Sequence, residues 1–328
     1  MSIRNKTLLA VLLCGVFGVA AAAPAGGSSQ RKSQDPKSDP TTVRPGTSDK
    51  QPFGAGKAGL AFSTNGGNSW STSINLDDGP VKYIGIKHRH GNSRVPINGN
   101  DPYANVDGTH NPQYLRLGDV KPVIGWFYNP TLGQVWYENR HNNTEVYSVR
   151  QMANPALPAA PKFGGLVIAK VPEMGGRNGN VFFGEWAPRA GNPPQNSTDL
   201  NMADGKRTVW YVGDNPTQNM PVLSGATYNV LGVNKHTPGQ NDFYTGVLTA
   251  SYGAGKNELS GSISRPGDSV KFDGTNIRSN GTFDNGKADE RITGRFYGSG
   301  AEALAGIVDR TGVDRDIAFG GHKQNSKP

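Results

Sequence analysis

Short segments in which large apolar residues alternate with small or polar ones fill the second half of the chain. Alternation with a period of two, interrupted by Gly, Pro, Asn and Ser, is typical of β-strands joined by turns. Eight segments have this pattern, and they cover residues 181–188, 207–213, 225–233, 244–252, 257–264, 269–283, 292–298 and 305–321. Because eight strands are enough to close a small barrel, the pattern predicts an antiparallel eight-stranded β-barrel, with an open sandwich as the alternative.

Glycines occur inside several of these predicted strands, at Gly184, Gly246, Gly261 and Gly294. A glycine lowers β-propensity, but it relieves crowding where a sheet coils tightly enough to close. The pattern therefore predicts a barrel that is filled by its own side chains and holds no ligand. Since sustained helical periodicity is almost absent and 45 residues are glycine, we expect an all-β fold for the whole chain.

The first 25 residues have the pattern of a secretory signal peptide. Arg4 and Lys6 precede an apolar run over residues 8–19, which ends in the alanine-rich segment 20–25. Cys14 raises the alternative of a surface lipoprotein anchored at that residue, but Leu13 before it is not small. We therefore expect a secreted, extracellular protein. No later apolar run is long enough to span a bilayer, so a membrane-spanning domain is not expected.

Three regions follow the signal peptide. Residues 26–52 contain Val43 as their single large apolar residue, which predicts a disordered linker. Residues 53–165 form a first β-rich domain, here called the handle and expected to bind the ligand, and they end in a joint rich in Pro and Ala at 154–165. Residues 166–328 form the barrel domain.

Charge and motifs narrow the class of function. The formal charge of +8 becomes +6 when Arg4 and Lys6 are removed (8 − 2), and the basic residues are scattered. This distribution does not indicate nucleic-acid binding and favours acidic surfaces or carboxylate-bearing ligands. The sequence has no nucleophile elbow, phosphate-binding loop or HExxH helix, so we do not expect an enzyme.

Three motifs near the C-terminus identify a family. They are "GRFYG" at 294–298, "AEALAG" at 301–306 and "AFGGHK" at 318–323. In this order they resemble the barrel domain of transferrin-binding protein B and its relatives, with Ala305 where that pattern has the first of two glycines and His322 before Lys323. The resemblance implies a β-barrel that is exported through a Slam-type outer-membrane translocon.

The segments ahead of these motifs are similar to a subfamily. A signal peptide, a β-rich first domain, "VFFGEWAP" at 181–188 and "RTVWYVGD" at 207–214 resemble the hemophilin-type secreted hemophores. This resemblance implies capture of heme, with hemoglobin as one source, and delivery to a TonB-dependent outer-membrane receptor. Because the same barrel also occurs in proteins that bind transferrin or host tissue, a host-protein-binding or colonisation factor without a small-molecule ligand is the alternative.

The handle contains the residue types that heme needs. Heme iron takes an axial ligand from His or Tyr, while the propionates require cations at the edge of the site. The candidate iron ligands are His88, His90, His110 and His141, with Tyr83 and Tyr137 as alternative oxygen ligands. The candidate cations beside the propionates are Lys87, Arg89 and Arg140.

Each of these residues also has an ordinary structural interpretation. A histidine on a loop is usually only a solvated residue, and the aromatic run at 125–128 is more often core than ligand wall. His88 and His90 alternate along one strand, so they could share a face, with one as a supporting partner of the other. Together with His110 or His141 they could also form an imidazole site for a zinc ion. His236 and His322 lie in the predicted barrel, where we expect structural roles.

Overall fold

The computed structural model describes residues 23–29, 43–47, 58–64, 69–75, 89–90, 93–94, 113–116, 131–140, 143–151, 164–173, 179–187, 197–253 and 255–324. In these residues the secondary structure consists of β-strands and one short 3-10 helix at Val313–Arg315. The all-β prediction is therefore confirmed. No helix within the described ranges is long and apolar enough to cross a membrane.

The strands are numbered along the chain. They are β1 (Ala25–Ser28), β2 (Val43–Thr47), β3 (Ala58–Thr64), β4 (Ser69–Asn75), β5 (Arg89–His90), β6 (Ser93–Arg94), β7 (Gln113–Arg116), β8 (Thr131–Asn139), β9 (Glu145–Gln151), β10 (Gly165–Lys170), β11 (Val181–Ala187), β12 (Thr208–Gly213), β13 (Leu223–Val233), β14 (Tyr244–Tyr252), β15 (Glu258–Arg265), β16 (Asp268–Lys271), β17 (Thr275–Ile277), β18 (Thr282–Asp284), β19 (Glu290–Tyr297), β20 (Ala303–Arg310) and β21 (Ile317–Lys323).

The C-terminal strands close into an antiparallel barrel. Their order is β14-β13-β21-β20-β19-β18-β17-β15-β16, and a further pairing between β14 and β15 closes the ring. Strands β16 and β17 pair with the two ends of β15 on the same edge, so together they occupy one position. The barrel therefore has eight strand positions, as predicted.

A separate seven-stranded antiparallel sheet packs against the outside of this barrel. Its strand order is β1-β12-β11-β10-β9-β8-β7. One face of the sheet shares a hydrophobic core with the barrel, in which Phe183 and Val209 from the sheet meet Leu231 and Ala318 from the barrel. The opposite face carries its own buried layer. Strands β2–β4 form a small three-stranded sheet, and β5 pairs with β6.

Aromatic side chains fill the barrel interior. Phe283 and Phe296 lie 5.5 Å apart between ring centroids, and Phe272 and Phe319 lie 5.1 Å apart, both pairs edge to face. The hydroxyl of Tyr228 donates a hydrogen bond of 2.6 Å to the Ala301 carbonyl, and burial raises the pKa of this phenol. Since these side chains are almost inaccessible to solvent, the barrel is filled, as the sequence predicted.

The segment 291–310 forms a strand, a turn and a second strand, as its sequence indicates. Strand β19 ends at Tyr297, the turn includes Gly298 (φ 85°) and Ala301 (φ 54°), and β20 begins at Ala303. Phe296 belongs to the barrel core, whereas Tyr297 belongs to the core between barrel and sheet. Adjacent residues of this strand thus face the two cores of the molecule, as the strand period requires.

The predicted domain boundary between residues 165 and 166 is wrong. Strands β10–β12 belong to the seven-stranded sheet, and the barrel begins with β13 at Leu223. The predicted count of eight still holds because two predicted segments, 269–283 and 305–321, each supply two strand positions of the barrel: β16 and β17 share one position and β18 takes the next, while β20 and β21 take one each. Alternation reports that a segment is a strand, but it does not report which sheet the strand joins.

The prediction of a disordered linker over residues 26–52 is wrong for two parts of that segment. Residues 25–28 form β1 and pair with β12, and residues 43–47 form β2 and pair with β3. A Cβ placed on Gly26 would lie 2.8 Å from Val212 Cα. Backbone pairing therefore holds these two described parts of the segment, at β1 with a close approach that its glycines permit, and apolar composition gives no sign of it.

We expect Gly320→Ala to reduce the free energy of unfolding by about 1–3 kcal/mol, the usual cost of overpacking a core. A Cβ at Gly320 of β21 would lie 2.5 Å from Phe183 Cδ1 and 3.0 Å from Val171 Cγ2, where the sheet meets the barrel. Gly205→Ala is the matched control, because a Cβ there has no neighbour within 4 Å. Urea unfolding of both variants measures the difference, and equal midpoints would contradict this contact.

Candidate functional site

The structure describes some of the predicted ligand residues. Arg89 and His90 form β5, in which Arg89 pairs with Arg94 and His90 with Ser93. Tyr137 lies near the end of β8, and Arg140 directly follows the last residue of that strand. The remaining predicted site residues lie outside the described residues, and they are His88, His110, His141, Tyr83 and Lys87.

Tyr137 lies on the face of the sheet that points away from the barrel. Its ring is half-buried and lies 5.2 Å from the ring of Tyr147 on β9, directly across the strand pair. Both phenols donate hydrogen bonds of 3.0 Å to the Glu145 carboxylate, Tyr137 to Oε1 and Tyr147 to Oε2. The Tyr137 hydroxyl would have to leave Glu145 before it could bind iron.

Large aromatic side chains extend this layer across β11 and β12. Phe182, Trp186 and Trp210 are buried in the same layer, against which Tyr137 packs. The indole nitrogens of Trp186 and Trp210 are buried and have no hydrogen-bond partner in the described part of the chain. This face thus contains a buried apolar and aromatic layer in which two indole donors have no partner among the described residues, which is unusual because buried donors are normally paired.

Arg140 lies on the side of the sheet that faces the barrel. Its Nε donates a hydrogen bond of 2.7 Å to Glu138 Oε2, and its Nη2 donates one of 2.6 Å to the Gln240 carbonyl. The guanidinium also lies over the Phe243 ring, 4.7 Å from its centroid. These contacts attach the end of the β8–β9 hairpin to the loop between β13 and β14.

His236 is the centre of that loop and is almost completely buried. Its Nδ1 lies 2.6 Å from Asp242 Oδ1, and its Nε2 lies 3.6 Å from Glu138 Oε2. Burial opposes protonation of the imidazole, but the carboxylates of Glu138 and Asp242 outweigh it and raise the pKa of His236 to about 9. The side chain is consequently an imidazolium at neutral pH.

A second buried ion pair lies at the same junction. Arg207 Nε donates a hydrogen bond of 2.6 Å to Glu185 Oε2, and both side chains are inaccessible to solvent. The Nη2 of Arg207 donates to the Asp316 carbonyl at 2.8 Å, so this arginine connects the sheet to the barrel. Glu185 also accepts the backbone amides of Lys235 and His236 at 2.8 and 2.7 Å.

The junction cluster, as we call these groups, is balanced in charge. It contains the carboxylates of Glu138, Glu185 and Asp242 and the cations of Arg140, Arg207 and His236. Burial would favour the neutral form of Glu138, but His236, Arg140 and the Gly239 amide outweigh it and hold the pKa of this carboxyl below its ordinary value. Three negative and three positive groups thus balance one another in charge, while His236 Nε2 faces Glu138 at 3.6 Å without a hydrogen bond among the described residues.

The prediction that His236 has a structural role agrees with this placement, although its ionic partners could not be assigned from the sequence. The available signal is a charged residue inside an apolar strand, as at Glu185 in "VFFGEWAP" and Glu138 in "VWYENR". Such residues are rarely buried unless they are paired. Their partners are distant in sequence, so the pattern shows that a pair exists but not with which residue.

No family model matches the chain. Among solved structures, a double mutant of transferrin-binding protein B from Haemophilus parasuis Hp5 is similar, with a TM-score of 0.33 and 16% identity over 59% of this chain and 39% of that chain. A mutant of transferrin-binding protein B from Actinobacillus pleuropneumoniae H49 has a TM-score of 0.32 and 15% identity, over 60% of this chain and 100% of that chain. A structure described as a surface lipoprotein has a TM-score of 0.31 and 16% identity, over 60% of this chain and 100% of that chain. The chain thus spans about two-fifths of the first of these proteins.

Proposed function

We propose that this protein is a secreted heme-binding protein. It captures heme outside the cell, with hemoglobin as one source, and delivers it to a TonB-dependent outer-membrane receptor after export through a Slam-type translocon. It acts as a binding protein and not as an enzyme. The support is the resemblance of residues 181–188 and 207–214 to the hemophilin-type hemophores and of the motifs within 294–323 to the barrel domain of transferrin-binding protein B, together with the arrangement of a β-sheet ahead of a barrel.

The observation that carries this proposal is the filled barrel. Phe272, Phe283, Phe296 and Phe319 occupy the interior, where a porphyrin would require that several of these rings be removed. Ligand binding is therefore left to the handle and to the sheet. The apolar layer that contains Phe182, Trp186 and Trp210 has the character that a porphyrin needs in the wall of its site.

Histidine is the preferred iron ligand in this proposal. A scavenger requires strong but reversible coordination, which neutral imidazole provides. We therefore propose that at least one of His88, His90, His110 and His141 binds the iron. Tyr83 and Tyr137 are the alternative ligands, and the phenol of Tyr137 is already bonded to Glu145.

The propionates require cations that are free to bind them. Lys87 and Arg89 are proposed for this role. The guanidinium of Arg140 is the third candidate, but it already donates hydrogen bonds to Glu138 and to the Gln240 carbonyl. Recruiting it would leave the Glu138 carboxylate buried with one fewer partner, which is costly.

Titration of the protein with hemin tests the proposal. We expect a Soret band that saturates on addition of hemin, and we expect the loss of that spectrum in at least one of the single variants His88→Ala, His90→Ala, His110→Ala and His141→Ala. His322→Ala is the matched control, because His322 lies on barrel strand β21. The proposal of a histidine ligand is overturned if all four variants keep the wild-type spectrum and affinity.

The same titration distinguishes heme binding from the alternative function, which is the binding of a host protein. A host-protein-binding factor would give the spectrum of free hemin at every ratio, as a non-binding control protein does. A pull-down from serum would then retain a protein partner. That pair of results would replace heme binding by protein binding as the function of the handle.

A further inference from the structure

The loop between β13 and β14, residues 234–243, holds the end of the β8–β9 hairpin at three points. Its Gly239 amide donates to Glu138 Oε1, and its Gln240 carbonyl accepts from Arg140 Nη2 at 2.6 Å. Its His236 Nε2 faces Glu138 Oε2 at 3.6 Å. All three contacts are to Glu138 or Arg140, at the end of the strand that carries Tyr137.

The loop is itself held by the barrel, so it is a fixed support. Asp242 accepts the Thr237 amide at 2.8 Å and faces His236 Nδ1 at 2.6 Å. Arg265 of β15 donates to the carbonyls of Asn234 and Asp242 at 2.9 and 3.0 Å. Movement of the loop would therefore break bonds to a barrel strand as well as bonds within the loop.

His236 connects the support to the hairpin because its two ring nitrogens face different elements. One nitrogen meets Asp242 at the far end of the same loop, next to β14, and the other meets Glu138 on β8. The Phe243 ring lies 4.4 Å from the imidazole between centroids and also lies beneath Arg140. The backbone amide of His236 also donates a hydrogen bond to the Glu185 carboxylate.

We propose that His236 is a positioning residue that fixes the β8–β9 hairpin on the barrel and thereby fixes the geometry of the ligand site in the handle. This inference rests on the proposed function, because Tyr137 is a candidate iron ligand on that hairpin. It gives the barrel a role in ligand binding although the barrel holds no ligand. The residue acts through Glu138 and does not contact heme.

Hydrogen–deuterium exchange of the intact protein without hemin tests the positioning directly. The reporter is the Arg140 amide, which donates to the Thr144 carbonyl at 2.8 Å and closes the hairpin. We expect His236→Gln to raise exchange in peptides covering residues 138–147 on the order of tenfold. His322→Gln is the matched control, since His322 is a half-buried barrel histidine whose Nδ1 has no partner in the described part of the chain.

A pH series distinguishes positioning from general destabilisation. The pKa of His236 is about 9 because Glu138 and Asp242 outweigh its burial, so the imidazolium is present below that pH and is lost as pH rises through it. After correction for the intrinsic rate of exchange, protection of the wild-type hairpin should fall around pH 9. Glutamine does not titrate, so His236→Gln should lack this step.

The outcomes separate the inference from the proposed function. Faster exchange in the hairpin together with weaker hemin binding, on the order of tenfold in affinity, supports both. If the wild type does not bind hemin, the proposed function fails, while the exchange result still tests whether His236 fixes the β8–β9 hairpin on the barrel. If His236→Gln exchanges like the wild type in residues 138–147, the inference is overturned. Should His236→Gln not fold, Asp242→Asn removes the same charge contact with less change of shape and is judged by the same criteria.

Discussion

Replacement of Arg207 by methionine is expected to lower the free energy of unfolding by about 3–5 kcal/mol, because it leaves a buried carboxylate without its cation. Arg207 and Glu185 are both inaccessible to solvent and lie 2.6 Å apart. Methionine retains much of the apolar stem but supplies no charge and no donor to the Asp316 carbonyl. Urea unfolding followed by circular dichroism measures the loss.

Arg291→Met is the matched control. Arg291 also pairs with a carboxylate, Asp284, at nearly the same distance of 2.7 Å, but its side chain is 55% exposed. An exposed pair of this kind is worth about 0–1 kcal/mol because water and ions screen it. Equal losses in the two variants would show that burial does not determine the strength of the Arg207 pair.

We expect Phe296→Ala to destabilise the protein by about 3–5 kcal/mol, the usual cost of removing a large aromatic side chain from a closed core. Phe296 packs between Tyr228 and Phe283, with ring centroids at 5.6 and 5.5 Å. The surrounding strands form a closed ring, which limits how far the barrel can collapse into the cavity. Thermal or urea unfolding measures this effect.

Val247→Ala provides the comparison on the outside of the same barrel. Val247 is 45% exposed, so its truncation should change stability by less than about 0.5 kcal/mol. If Phe296→Ala were equally mild, the barrel interior would not be the filled core on which the location of the ligand site depends. We also expect Phe296→Ala to keep the hemin affinity of the wild type under conditions where it is folded.

Local features of the sequence were sufficient to predict much of the barrel. The alternation in residues 291–310 gave β19 and β20 because neighbouring side chains face two different cores. The glycine in that segment was informative as well: Gly294 leaves space for the Phe283 ring and the Ala305 carbonyl. Such signals depend on steric contacts within one strand and its direct neighbours, so a single sequence contains them.

The domain boundary could not be predicted in this way. Strands β10–β12 alternate like the barrel strands, but one of their faces packs against the barrel and the other lies in a second buried layer. Which sheet they join is decided by contacts between residues far apart in sequence. Strand β1 was missed for a related reason, because its order comes from backbone bonds to β12 and not from apolar side chains.

The junction cluster shows the same limit for polar residues. The sequence shows Glu138 beside Arg140, but it does not show that the pair meets His236, about a hundred residues later. Only the closure of the barrel brings the loop at 234–243 to the end of the hairpin. The iron ligand itself stays a prediction, because four of its six candidates lie outside the described residues.

The binding of heme through a histidine of the handle is the central claim, and native mass spectrometry of the protein mixed with hemin tests it most directly. The wild type should carry the mass of a single heme, and so should the variant His322→Ala. The variant in which His88, His90, His110 and His141 are all replaced by alanine should carry none while keeping the circular dichroism spectrum of the wild type. A wild type without heme, or a folded fourfold variant that retains it, would contradict the account.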